Sequence, residues 1–78
     1  MILDDIWKNS LSRIEERVGN NAIDLWFRPI KLSQLKEQQV TLDIPNKFFK
    51  DWIEDNYPDL LPETLAGVLG YPVTVRYR

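Results

Sequence analysis

Apolar residues recur along this chain first with the period of a helix, then with that of a strand, and then with each again. Leu3, Trp7, Leu11, Ile14 and Val18 fall at spacings of 4, 4, 3 and 4, with Lys8, Arg13, Glu15 and Glu16 mostly opposite. The spacing predicts a helix over about residues 4–18. Asp4 and Asp5 favour its start through the helix dipole, and Gly19 with Asn20 reads as its stop. A second helix of about two turns follows, with Ala22, Ile23, Trp26 and Phe27 on one face and Asn20 or Asn21 as its cap. Pro29 is expected to end it, because a residue before proline, here Arg28, is pushed out of the α region. Ile30, Leu32 and Leu35 are then separated by polar residues, Lys36 to Gln38 is a polar turn, and Val40, Leu42 and Ile44 alternate with Thr41 and Asp43. Period two across a short polar joint predicts a β-hairpin with its apolar side towards the helices.

The stretch from Ile44 to Tyr57 organises the remainder. Pro45 cannot donate to a sheet ladder and Asn46 can cap a helix start, so a strand ends and a helix begins there. Phe49, Trp52, Ile53, Asn56 and Tyr57 share one face of that helix and are expected to face the core; Phe48 and Asp51 fall off the stripe. Pro58 and Pro62 punctuate the chain, and Pro62 suits the first position of a further short helix carrying Leu65, Val68 and Leu69 and closed by Gly70. Val73 and Val75 alternate with Thr74 and Arg76 in a last strand flanked by Tyr71 and Tyr77. The order α-α-β-β-α-β predicts an α+β, KH-like domain: a three-stranded sheet, helices packed mainly on one face, and the last strand paired with the hairpin.

Length and composition narrow the function more than the fold. Seventy-eight residues are read as one domain over 1–78, and Arg78, directly after a strand, as the end of a unit cut from a longer protein. There is no Cys and no His, which removes disulfides, thiolate nucleophiles, the usual zinc ligands and the readiest base near neutral pH; no metal site is expected. Asp51, Glu54, Asp55 and Asp59 are close in sequence, but no partner group marks them as an acid–base pair, so a solvated helix face is the reading and an enzyme is not expected. Ten basic against twelve acidic residues give a formal charge of −2, the wrong sign for a domain whose main task is to neutralise phosphates. Gly67 to Gly70 has the spacing of the Gly-X-X-G loop of RNA-binding KH domains but sits at a helix end after apolar residues. No apolar run approaches the roughly 20 residues of a membrane helix, and the first five residues lack the form of a signal peptide, so a cytoplasmic protein with no membrane partner is expected.

Of the nine aromatics in so short a chain, four stand near caps and element boundaries: Trp7, the pair Trp26-Phe27, and Phe48. Phe49, Trp52 and Trp26 are expected in the core, while for Trp7 and Phe48 core and surface are equally open. Exposed together, such rings would make a partner surface.

Three blocks in constant order, Trp26-Phe27-Arg28-Pro29-Ile30, then Ile44-Pro45-Asn46-Lys47-Phe48, then Asp51-Trp52-Ile53, resemble the N-terminal domain of the DnaA family of bacterial chromosomal replication initiators. The resemblance runs from Ile6-Trp7 through Tyr57 and weakens after Pro58. It implies a KH-like fold without KH-type RNA recognition, and a protein-interaction module that self-associates, helps recruit the replicative helicase DnaB at the origin and binds regulators of initiation of the DiaA type. ATP would be bound by a later domain, leaving this one without a cofactor. By position, the resemblance gives Trp7 a role in self-association, Phe48 one in helicase contact, and Trp26 and Asn46 one in regulator contact. At the helix-two position where relatives carry an acidic residue implicated in helicase and single-stranded DNA contacts, this chain has Ala22. Arg28, Lys47 and Lys50 form a small basic spot for weak single-stranded DNA contacts, the basis of the alternative reading as a KH-like single-strand-binding domain.

Overall fold

The first helix is bent at the residue that the sequence marks as its stop. A computed structural model describes residues 2–78. In it α1 runs over Leu3–Ala22, with Gly19 at φ 87° and ψ 174°, angles that side chains other than hydrogen adopt only under strain. The chain turns helical again at once, and the Ile23 N–H bonds back to the Gly19 carbonyl, so Gly19, rather than Asn20 or Asn21, holds the capping position of the second segment. The buried stripe of α1 is Ile6, Trp7, Ser10 and Ile14, with Leu3, Leu11 and Val18 half-buried at its margins. Ser10 is fully enclosed because its hydroxyl donates to the Ile6 carbonyl at 2.8 Å and needs no other partner.

The second segment closes as a π-helical turn, Ile23–Phe27, in which the Arg28 N–H reaches the Ile23 carbonyl at 2.9 Å. It ends where Pro29 was expected to end it, but by another route. Arg28 stays in the α region at φ −62° and ψ −32°, and the missing N–H of Pro29 is what breaks the ladder. The Ile30 N–H then bonds to the Phe27 carbonyl at 3.0 Å and sends the chain into the sheet.

Strands β1 (Lys31–Lys36) and β2 (Gln39–Asp43) pair antiparallel around the two-residue turn Glu37-Gln38, whose φ values of 52° and 65° follow the right-handed twist of the strands. The register shifts between Leu32 and Gln34, leaving Ser33 as an extra residue; its hydroxyl donates to Asp43 at 3.0 Å. β3 (Thr74–Tyr77) pairs with β2 as expected, but parallel, giving the order β1-β2-β3. A parallel return demands a long crossover, and α2 (Lys47–Asn56) and α3 (Leu60–Leu69) supply it. Their core side chains Ile53, Leu60, Leu61 and Leu65 meet those of α1 over Leu32, Val40 and Leu42 in one hydrophobic cluster. All helices thus cover the same face of an α+β fold, as the patterning predicts.

α2 starts with the Asn46 side chain accepting the Phe48 N–H at 3.0 Å. α3 begins at Leu60, two residues before the expected Pro62. Proline is accommodated at that third position because N–H groups of a first turn have no intrahelical partner. Gly70 ends α3 in the left-handed conformation at φ 87°, as expected, and places Gly67 inside a helix instead of in a loop between helices. Arg78 locks the sheet: its backbone pairs with Leu42 and Ile44, and its guanidinium donates to Asp43 at 3.0 Å.

Candidate interaction surface

Two pairs of adjacent aromatics, Trp26-Phe27 before the hairpin and Phe48-Phe49 after it in sequence, come from segments that meet on the helical side of the sheet. Neighbouring residues on a helix point about 100° apart, and in each of these pairs one ring goes further inward while the other is left nearer the surface. Phe27 is fully buried, whereas Trp26 is half-buried. On α2 Phe49 is half-buried and Phe48 is 68% exposed. Trp26 stacks on Trp52 with centroids 4.4 Å apart and planes within 5°, and meets Phe49 edge-on at 5.2 Å. Phe27 and Tyr57 close the cluster from inside, edge-on and tilted to Trp52. Such offset and edge contacts let each ring keep a neighbour's face while part of its own remains open.

The result is an apolar patch of Trp26, Phe49 and Trp52, all partly exposed, with the exposed Leu25 (65%) and Phe48 next to Trp26 and Phe49 in sequence. Phe49, Trp52 and Trp26 were expected in the core; the structure holds all three at its rim, because Ile53 and Phe27 already fill the space beneath. Leu25 was not singled out in the sequence. The signal that points to it is the unbroken run Ile23 to Phe27, which has more apolar residues than one helical face can bury. Asn56, also expected inside, is exposed and donates to the Trp52 carbonyl at 2.8 Å, tying down the turn that carries the stacked ring.

The other residues singled out in the sequence fall in several places. Ala22 is half-buried one turn ahead of Trp26, at the margin of the patch. Asn46 is exposed next to Phe48, with its side-chain oxygen engaged in the α2 cap. Trp7 is only 6% exposed, and its indole N–H donates to the Ile30 carbonyl at 2.8 Å, so the ring clamps α1 to the turn behind Trp26 and presents almost no surface of its own. The three basic residues do not form one spot. Arg28 is engaged by Asp24 at 2.6 Å and Glu15 at 3.7 Å, while Lys47 and Lys50 line a shallow groove with Ile44, Pro45, Tyr77 and Arg78 between α2 and the end of the sheet.

Two ionisable groups at that end are perturbed. The hydrogen bond from Arg78 holds the Asp43 carboxyl below the usual carboxylate range, against a smaller opposing effect of desolvation. Burial, with the negative charge of Glu54 behind it, pushes the Tyr77 hydroxyl up to about 12. Neither group faces an enclosed cavity. Among the described residues no group of three or more Asp or Glu side chains is placed to hold a metal ion, and no helix is long and apolar enough to cross a membrane.

Fold and surface together define a small α+β domain with all helices on one sheet face and a half-exposed aromatic patch spanning two of its helical segments. The family described as DnaA N-terminal domain matches residues 4–67, and the chain belongs to that family. It is 41% identical over 75 residues to the chromosomal replication initiator protein DnaA of Thermodesulfovibrio yellowstonii, a match that covers 96% of this chain and 17% of that protein. The chain therefore spans about a sixth of the length of that curated relative.

Proposed function

We propose that this domain is the protein-interaction module of a bacterial replication initiator, and that its aromatic patch receives the replicative helicase DnaB and regulators of the DiaA type at the chromosomal origin. The observation that carries the reading is the patch itself: the stacked and edge-on rings of Trp26, Phe49 and Trp52, partly exposed, with the exposed Leu25 and Phe48 next to them in sequence. A small soluble surface keeps such a concentration of rings at the expense of solubility, and aromatic anchors dominate binding energy where a partner covers them. Phe48 is the projecting anchor for the helicase. Trp26 and Asn46 flank it as regulator contacts, and Ala22 leaves the patch margin apolar where relatives carry a carboxylate.

Self-association belongs to the same reading, with Trp7 contributing from within. Its clamp on Ile30 sets the start of α1, where Ile2 is 65% exposed and Leu3 half-exposed. Each contact is small, so each is weak alone; several initiators gathered at one origin raise the effective concentration and make recruitment efficient. In this reading the domain works without a cofactor, nucleotide being bound elsewhere in the initiator. The test is an NMR titration of the domain with the N-terminal part of the replicative helicase. Amide shifts confined to residues 22–27 and 46–52 are expected; absence of shifts at high concentration, or shifts centred on the sheet, would overturn the assignment.

A further inference from the structure

The face of the sheet turned away from the helices carries a second surface, unrelated to the patch. By strand alternation and register, Lys31, Gln34 and Lys36 of β1, Gln39, Thr41 and Asp43 of β2, and Thr74 and Arg76 of β3, followed by Arg78, lie on this face in three cross-strand rows, of which Thr41 is itself buried. None of these side chains is apolar or aromatic. Four are cations and one is a carboxylate, on a chain whose formal net charge is −2. Arg78 is spent on Asp43, whereas Lys31, Lys36 and Arg76 have no carboxylate within 4.0 Å among the described residues. Gln34, Lys36, Glu37, Gln39, Thr74 and Arg76 line a shallow polar hollow there, in which the Glu37 carboxylate at the hairpin turn offsets part of the charge of Lys36 and Arg76.

The opposite charge is gathered on the helices. Asp51, Glu54 and Asp55 stand on the solvent side of α2 from its middle to its end, all exposed and, among the described residues, none within 4.0 Å of a cation, although the exposed Lys47 and Lys50 precede them on the same helix. Asp51 and Asp55 stand one turn apart, about 6 Å along the axis, and a pair of rows on the sheet two residues apart is spaced similarly, about 6.6 Å. A domain with a basic face on one side and an acidic ridge on the other is complementary to a copy of itself. The missing aromatics argue against single-stranded nucleic acid, which is held by bases stacked on rings as well as by its phosphates.

We propose that the outer sheet face, through Lys31, Lys36 and Arg76, docks on the acidic ridge of α2, Asp51, Glu54 and Asp55, of a second copy of this chain. The contact is heterologous, head to tail, and so propagates along a row of copies instead of closing as a symmetric pair. It is small. Three strands spaced about 4.8 Å apart and about 15 Å long offer roughly 200 Å² a side, well under the about 800 Å² of a standard stable interface. The contact is therefore weak and salt-sensitive, and forms only at high local concentration of the chain. It rests on the self-association reading above but names other residues than the start of α1 and leaves the aromatic patch free for other partners.

Sedimentation velocity of the 78-residue chain tests it, at high protein concentration in about 20 mM and about 500 mM salt, where the screening length falls from tens of ångströms to a few. The expected result is a concentration-dependent rise in sedimentation coefficient at low salt that is lost at high salt. Lys36→Glu with Arg76→Glu should stay monomeric at low salt, as should Asp51→Lys with Asp55→Lys, while an equal mixture of the two charge-reversed proteins should associate again. Circular dichroism on each variant confirms that it is folded. Association that persists at high salt would overturn the proposal in favour of an apolar contact at the start of α1. A wild-type chain that stays monomeric at low salt, or a mixture that does, would also overturn it, with the helicase titration still standing or falling separately. Low-salt amide shifts of Lys36 and Arg76 with a short oligonucleotide and none with more protein would assign the face to nucleic acid instead.

Discussion

Replacing Phe48 by alanine separates a surface anchor from a core residue, and the structure sets the size of the effect. The side chain is 68% exposed, so about a third of it is withdrawn from water. Full burial of a phenylalanine is worth roughly 1.5–3 kcal/mol, and a third of that is about 0.5–1 kcal/mol. Alanine returns about 0.5 kcal/mol as a better helix former inside α2. The two terms nearly cancel, and the melting temperature should move by less than about 4 °C. Trp7→Ala is the control. It empties a site that is 6% exposed and strands the Ile30 carbonyl, which now accepts the indole N–H at 2.8 Å. The cavity alone costs about 3–5 kcal/mol and the lost buried hydrogen bond adds to it, a large part of the roughly 5–15 kcal/mol available to a domain. Thermal unfolding by circular dichroism should therefore show Phe48→Ala close to wild type and Trp7→Ala largely unfolded or melting far lower. Calorimetric titration of Phe48→Ala with the helicase fragment should show at least about tenfold weaker binding, the loss expected of a truncated aromatic anchor. A melting point lowered by more than about 10 °C would sink the argument, because the ring would then be holding the fold and any loss of binding would be indirect.

Three further outcomes follow from single contacts. Gly19→Ala forces a side chain into backbone angles of φ 87° and ψ 174° and should destabilise the domain by about 1–3 kcal/mol, read as a lower denaturation midpoint, although nothing lies within 4 Å of the added carbon. Asn46→Ala removes the α2 cap and should cost about 1 kcal/mol, whereas Asn46→Ser keeps a capping oxygen and should melt near wild type. Regulator binding lost in both variants would assign Asn46 a direct contact; binding retained by the serine variant would assign it the cap alone. The Tyr77 hydroxyl, raised to about 12 in the folded chain, releases its proton in the unfolded chain first. Its contribution is complete below about pH 10 and is lost as the pH climbs from about 10 to 12, so Tyr77→Phe should flatten the alkaline decline of the melting temperature across that window.

The elements set by local chemistry were legible in the sequence. Gly19, the polar hairpin turn, the Asn46 cap and the Gly70 stop each depend on local backbone or side-chain chemistry, and the structure uses all four, with Lys36 of the expected turn drawn into β1. What was hidden depends on neighbours far along the chain. The inward stripe of α1 is centred on Ile6 and Ser10 because a serine that satisfies itself through the Ile6 carbonyl packs like an apolar residue, which its type does not reveal. The π turn at Ile23–Phe27 inserts a residue that no periodicity signals, and it carries Phe27 into the core and Trp26 against Trp52. The parallel pairing of β3 cannot be read from a pattern of alternation that serves either direction. The burial of Trp7 and the exposure of Phe48 were undecidable for the same reason: each ring lies at an element's start, and what covers it comes from Ile30 in one case and from nothing in the other.

The stacked pair of Trp26 and Trp52 joins segments that are separated by the entire hairpin. No linear peptide cut from this chain contains the patch; it is a conformational epitope, present only while the sheet between its halves is formed. An antibody raised against it would report the folded fraction of the domain, and a peptide copied from either helix would compete poorly with it. On the proposed function, a partner that docks there is blind to a misfolded or clipped copy, and damage anywhere in the small core removes its docking site.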